Sequence, residues 1–265
     1  MMIPVSGAEL AVEQREGGVP ALLFIHGFPL DHTLWRHQLD GLTAWRRIAP
    51  DLRGAGASSV PASPAEYSTA RYADDLVEML DVLKVKEVVA CGLSMGGYTL
   101  FELFTRHPRR VRAAVLSNTR AEADTPETRA ARDALAGLAR ERGSVAIAEK
   151  QLPKMLSPAT LAGRPAVVKE ARDMMMRAPG AGVIGALRAL RDRPDHTATL
   201  PGIRVPVLVV AGADDQNTTA DEMERMAGVI PDARFTKIAG AGHLTPLEQP
   251  AAFNAALSDF LRTLG

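Results

Sequence analysis

The residues best able to do chemistry stand in Gly92-Leu93-Ser94-Met95-Gly96-Gly97, a G-x-S-x-G pattern between the apolar run Glu87-Val88-Val89-Ala90-Cys91 and a helix-like run through Tyr98, Leu100, Leu103 and Phe104. A sharp strand-to-helix turn of this kind needs small residues two positions either side of the serine, and it lifts the hydroxyl clear of the sheet. A helix beginning there aims backbone N–H groups at developing negative charge. Serine alone is a weak nucleophile, so Ser94 requires a base and a carboxylate to orient that base. Of six histidines, His243 is the best placed: Gly240-Ala241-Gly242-His243-Leu244 follows the last β-like run, on a loop that glycine lets approach the sheet closely. His32, His37 and His107 fall in helical or helix-end positions among charged neighbours, and His196 lies in a return segment. The acid is expected after the run 205–210, where Asp214 and Asp215 are adjacent. Both cannot face one imidazole; Asp215 is preferred, which leaves Asp214 to cap the turn or the next helix. The chain order is then Ser, Asp, His.

Acyl transfer also needs donors for an oxyanion. The turn His26-Gly27-Phe28-Pro29 follows an early apolar run, and its Phe28 N–H can point inward beside the N–H of Met95. His26 is expected to hold that loop by hydrogen bonds and not to act as a base.

These groups must be positioned by strands and helices in alternation. Short apolar runs at 21–26, 47–51, 87–91, 112–117, 205–212 and 234–239 read as strands buried on both faces. Helical periodicity fills 70–83, 95–106 and 220–229. Strand–helix alternation implies an α/β fold with a mainly parallel sheet, and the first fifteen residues, turning at Gly7, suit an antiparallel edge hairpin. No strand is expected between about 118 and 199. That segment reads as an inserted helical cap with helices at 125–142, 145–155 and 165–177, which leaves 1–117 and 200–265 as the core. Met174, Met175 and Met176 are assigned to helix packing rather than to substrate lining. Expected cavity walls are Phe28, Leu30, Trp35, Met95 and the cap methionines, with Trp35 weighted toward packing of its own helix. With aromatic residues at only 5%, the pocket is expected to be aliphatic.

Lys and Arg number 31 and Asp and Glu number 31, so the chain is neutral overall, which argues against electrostatic capture of nucleic acid. The single cysteine, Cys91, cannot close an intramolecular disulfide, and there is no paired CxxC spacing to hold zinc; Cys91 is expected to be a small buried hydrophobe. There is no run of eighteen apolar residues and no cationic leader, so a soluble, cytoplasmic protein without membrane contact is expected. The chemistry calls for no metal and no organic cofactor, and the expected partner is a small-molecule substrate. Gly54-Ala55-Gly56 lacks the residues that complete a phosphate-binding loop.

Taken together, His26-Gly27-Phe28-Pro29, Asp51-Leu52-Arg53-Gly54, the Ser94 turn, Gly212-Ala213-Asp214-Asp215 and Gly240-Ala241-Gly242-His243 resemble the α/β-hydrolase superfamily, in particular its compact members with a helical cap. The resemblance spans nearly the whole chain. It implies an eight-stranded sheet flanked by helices, a cap inserted after the sixth strand, and an acid three residues after a glycine, which selects Asp215. Within the superfamily the chain looks like carboxylesterases, perhydrolase or haloperoxidase-like esterases and enol-lactone hydrolases; Asn118-Thr119 and Arg193-Pro194-Asp195 are shorter matches to the last. Ser94 in place of an aspartate argues against the dehalogenase and epoxide-hydrolase branches, and Leu244 after His243 argues against hydroxynitrile lyases. The reading is a hydrolase of small esters or lactones working through an acyl-enzyme. Carbon–carbon hydrolysis on the same triad and a non-catalytic small-molecule receptor are the alternatives.

Overall fold

The computed structural model describes residues 1–264. Its strands are β1 (Met2–Val5), β2 (Ala8–Arg15), β3 (Gly18–Ile25), β4 (Trp45–Pro50), β5 (Val88–Leu93), β6 (Val111–Ser117), β7 (Val207–Gly212) and β8 (Ala233–Ile238). They form one sheet of order β1-β2-β4-β3-β5-β6-β7-β8. β1 and β2 make the expected edge hairpin, β2 pairs antiparallel with β4, and every other pairing is parallel. β7 starts at Val207, two residues later than the sequence suggests; Pro206 has no N–H to give a ladder, though its carbonyl accepts from Ala114.

Strands β3, β5 and β7 are apolar at every position because both faces are covered. Leu23 and Ile25 of β3, Val88 and Ala90 of β5 and Val207 and Val209 of β7 enter one core. Their neighbours Leu22, Phe24, Val89, Cys91, Leu208 and Val210 enter a second core on the other face. Helices α2 (Thr69–Val82), α3 (Met95–Arg106) and α8 (Ala220–Val229) supply Leu76, Leu100 and Met223 to the first. Helix α1 (Arg36–Gly41) and the C-terminal α10 (Pro250–Arg262), which follows the single turn α9 (Thr245–Glu248), supply Leu39, Phe253 and Leu257 to the second. Cys91 is buried there, and burial pushes its thiol up, so it behaves as the small hydrophobe expected.

Between β6 and β7 the chain runs through α4 (Pro126–Met155), α5 (Pro158–Gly163), α6 (Pro165–Met176) and α7 (Gly180–Arg191) without a strand. Helix α4 is two segments joined at Gly143, whose φ of 70° breaks the helical path where the sequence reading separates 125–142 from 145–155. Its start is capped by Thr125, which accepts from the Thr128 N–H at 3.3 Å. Helix α7 has no counterpart among the sequence expectations. Its Gly182 and Gly185 are poor helix formers, yet a Cβ on either would collide with Gly54 or with the Tyr67 ring. Close packing onto the core thus overrides propensity. Among the described residues no helix is long and apolar enough to cross a membrane.

Candidate active site

Ser94 sits between β5 and α3 at φ 53° and ψ −111°, a backbone conformation that costs a non-glycine residue of order 1–3 kcal/mol. The neighbouring packing maintains it. A Cβ on Gly92 would strike the Gly96 carbonyl, and one on Gly96 would strike the Ile25 carbonyl, so only glycines let the turn close against β3. The Ser94 N–H is held by the Ser117 carbonyl of β6 at 2.9 Å, and its own carbonyl accepts from Gly97 N–H and from Thr119 Oγ1, each at 2.8 Å.

His243 leaves the loop after β8, and its backbone N–H donates to the Met155 carbonyl of α4 at 3.0 Å. Its Nδ1 lies 2.8 Å from Asp215 Oδ2, which leaves Nε2 as the free ring nitrogen. Asp215, beyond the end of β7, is anchored on both oxygens. Oδ2 also accepts from Asn118 Nδ2 at 2.8 Å and Thr218 Oγ1 at 2.7 Å, while Oδ1 accepts from the Asn217 N–H at 2.8 Å. Burial pushes this carboxyl up, but the charge and hydrogen bond of His243, with the bonds from Thr218 and Asn118, outweigh it and hold it well below the usual carboxylate range. Asp214 is exposed and its N–H bonds the Ala241 carbonyl at 2.9 Å, so of the two adjacent acids it is Asp215 that reaches the imidazole.

Ser94 and His243 line one cavity of about 250 Å³, together with Phe28, Tyr98, Met155 and Thr218. No hydrogen bond joins Ser94 Oγ to the ring among the described residues, a separation common before substrate is bound. Phe28 N–H and Met95 N–H, on either side of the serine, have no acceptor among the described residues. His26 holds the Phe28 loop as expected. Nδ1 bonds the Gly27 carbonyl at 2.9 Å and Nε2 accepts the Leu52 N–H at 2.9 Å, an arrangement that needs the neutral ring, and burial holds its pKa below the ordinary value. The remaining histidines stand apart from the cavity: His32 bonds Asp51, His107 bonds Asp74, and His196 stacks on Phe101 with centroids 5.8 Å apart.

The walls are aliphatic only in part. Trp35 is fully buried between Phe24 and Phe253, at centroid distances of 5.1 and 6.0 Å, and lines neither the Ser94 cavity nor the smaller space beside it. Leu30 and Met95 line a smaller neighbouring space instead. Met174 and Met175 are buried in helix packing, as assigned, and it is Met155 that reaches the site. Beside Ala131, Leu135, Met155 and Leu190, the segment between β6 and β7 presents Arg120, Asp124, Arg132, Gln151 and Arg193. Asp124 is buried and receives Arg193 Nη1 and, at 3.0 Å, Arg132 Nε. The Arg193 guanidinium also lies over the Tyr98 ring, 4.2 Å from its centroid. Sequence reasoning missed this wall and missed the anchoring role of Asn118; the one signal was that Asn118 and Arg193 both stood in short matched segments.

A parallel sheet with a strained serine at one strand end and a His–Asp pair at two others defines a hydrolase. Residues 20–250 match the family described as the alpha/beta hydrolase fold, and the chain belongs to that family. It is 30% identical over 244 residues, 92% of this chain and 89% of the relative, to 3-oxoadipate enol-lactonase 2 of Acinetobacter baylyi. Among solved structures, a thermophilic esterase from Thermogutta terrifontis superposes with a TM-score of 0.94 at 38% identity, covering 97% of this chain and 94% of the other. An enol-lactonase from Burkholderia xenovorans LB400 superposes at 0.91 with 30% identity, over 99% and 100% of the two chains.

Proposed function

We propose that this chain hydrolyses small carboxylic esters or lactones through an acyl-enzyme on Ser94. The observation that carries the reading is the placement of Ser94, at a strained strand-to-helix turn, in the same cavity as an imidazole whose other nitrogen is fixed by a buried carboxylate.

In the first half-reaction Ser94 Oγ attacks the carbonyl carbon while His243 Nε2 takes its proton. Asp215 holds the ring in the Nδ1–H form and stabilises the imidazolium that results. The tetrahedral oxyanion is received by the Phe28 and Met95 N–H groups, which are pre-aimed by the turn and therefore need no reorganisation. His243 then returns the proton to the leaving alkoxide. Water enters, gives a proton to Nε2, attacks the acyl-enzyme and regenerates Ser94 with release of the acid. For a lactone, alcohol and acid leave as one molecule. No step requires a cofactor or a metal. Residues 118–199 serve as the cap domain, which covers the cavity and supplies its outer wall. Names among the relatives, an esterase and two enol-lactonases, support carboxylic ester chemistry for this site.

A burst and steady-state assay with p-nitrophenyl acetate, butyrate and octanoate tests this. The wild type is expected to release one equivalent of nitrophenol per chain before its steady rate, and Ser94→Ala to show neither phase. Turnover that survives in Ser94→Ala would rule the mechanism out.

A further inference from the structure

The whole chain is neutral, but its charge is not evenly shared. Residues 118–199 hold 14 Lys and Arg against 10 Asp and Glu, and the rest of the chain holds 17 against 21. The excess reaches the reaction cavity. Three arginines line it, Arg120, Arg132 and Arg193, and apart from the His243–Asp215 pair the only carboxylate there is Asp124.

Their hydrogen bonds show which of them are available. Arg193 is buried and its terminal nitrogens are committed to Asp124 and to the Leu190 and Glu122 carbonyls at 3.0 and 2.8 Å, with the guanidinium over the Tyr98 ring; only its buried Nε has no partner among the described residues. Arg132 touches Asp124 through Nε alone, so its two terminal nitrogens have no partner among the described residues. Asp124 thus shares one negative charge between two guanidiniums. Arg120 donates to the Asn217 carbonyl, and its nearest carboxylate, Glu222, stands 3.6 Å away, beyond hydrogen-bond reach. A neighbouring cavity of about 200 Å³ between α4 and α7 shares Arg132 and adds Arg140, Arg188 and Arg191, of which Arg191 pairs with Asp133 and both Arg188 and Arg191 pair with Asp192. Guanidiniums thus line both cavities, and Arg132 belongs to each.

We infer that the cavity selects substrates carrying a free carboxylate beside the scissile ester or lactone bond, with the terminal nitrogens of Arg132 as its counter-ion and Arg120 in support; this rests on the hydrolase reading above. A guanidinium fork matches a carboxylate in shape and charge, and an anion is the group that the half-satisfied cluster lacks. The cavity suits a small molecule of a few carbons with one charged end. The arginine line would also raise the encounter rate of anions at low ionic strength.

The test compares monomethyl glutarate, an anion, with dimethyl glutarate, its neutral relative, as the ratio of kcat/KM values. The wild type is expected to favour the anion by about tenfold or more, with the preference shrinking as salt is raised. Arg132→Gln should cut the ratio about tenfold; Arg132→Lys should restore part of it; Arg142→Gln, an exposed cap position outside the cavity, should leave it alone. A wild type that favours the diester, with a ratio unmoved by Arg132→Gln, would overturn the inference and leave the hydrolase reading standing. If neither ester is cleaved, the hydrolase reading fails first, and calorimetric titration with glutarate decides the anion site. Binding weakened about tenfold by Arg132→Gln upholds it, and no binding at millimolar glutarate overturns it.

Discussion

The two walls of the reaction cavity are built on opposite plans. On the sheet side the groups that orient the imidazole are matched: Asp215 receives His243, Asn118, Thr218 and Asn217, and Asn118 in turn accepts from Thr245 Oγ1 at 2.8 Å. On the cap side Arg132 and Arg193 share the one lining carboxylate, Asp124, and the terminal nitrogens of Arg132 have no partner among the described residues. The first arrangement fixes geometry before any substrate arrives. The second is incomplete until an anion does. Under the proposed function, reaction chemistry and substrate choice belong to different parts of the chain, and substitutions should separate them.

The largest effects fall on the sheet side. Ser94→Ala should lower kcat by about 10⁴-fold or more while leaving the melting temperature nearly unchanged. Ser94→Gly should be equally inactive yet more stable by about 1 kcal/mol, because glycine relieves the positive φ; calorimetry on the two variants checks this. Asp215→Asn should cost about 10³- to 10⁴-fold in kcat and Asp214→Asn less than about threefold, since only the former orients the ring. Equal losses would erase the distinction between the two acids.

On the cap side the first loss is of stability. Arg193→Met removes the buried partner of Asp124 and should destabilise by about 3 kcal/mol in urea unfolding, against less than about 1 kcal/mol for the more exposed Arg132→Gln. A smaller effect concerns pH. Burial depresses the His26 pKa below its ordinary 6.5, so the neutral ring contributes stability that is complete above that value. The contribution is lost as pH falls through the folded-state value and the Leu52 N–H loses its acceptor. His26→Gln should flatten that acid limb of the stability profile. An unchanged limb would show that the oxyanion loop does not depend on this ring.

The same division governs what could be read from sequence. The sheet-side groups are legible because each is forced by local backbone: Gly92 and Gly96 flank Ser94, Gly212 precedes Asp215 by three positions, and Gly240 and Gly242 flank the turn to His243. The continuous apolar runs show where the buried strands lie, since both faces are covered. The cap gives no such signs. Arg132 falls on the polar face of an expected helix and Arg120 in the loop before it, and only long-range packing brings them to the cavity. Helix α7 was hidden because its glycines answer to Gly54 and Tyr67, far away in sequence. Low aromatic content pointed to an aliphatic pocket because composition does not say which side chains meet.

The central claim is that Ser94 forms the covalent intermediate, and active-site labelling tests it most directly. Wild-type protein incubated with a p-nitrophenyl alkylphosphonate is expected to gain one adduct by intact mass, mapped to Ser94 by peptide analysis. That adduct should be absent in Ser94→Ala and formed much more slowly in His243→Ala. Undiminished ester turnover by wild-type protein exposed to the phosphonate, with no adduct on Ser94, would contradict the account.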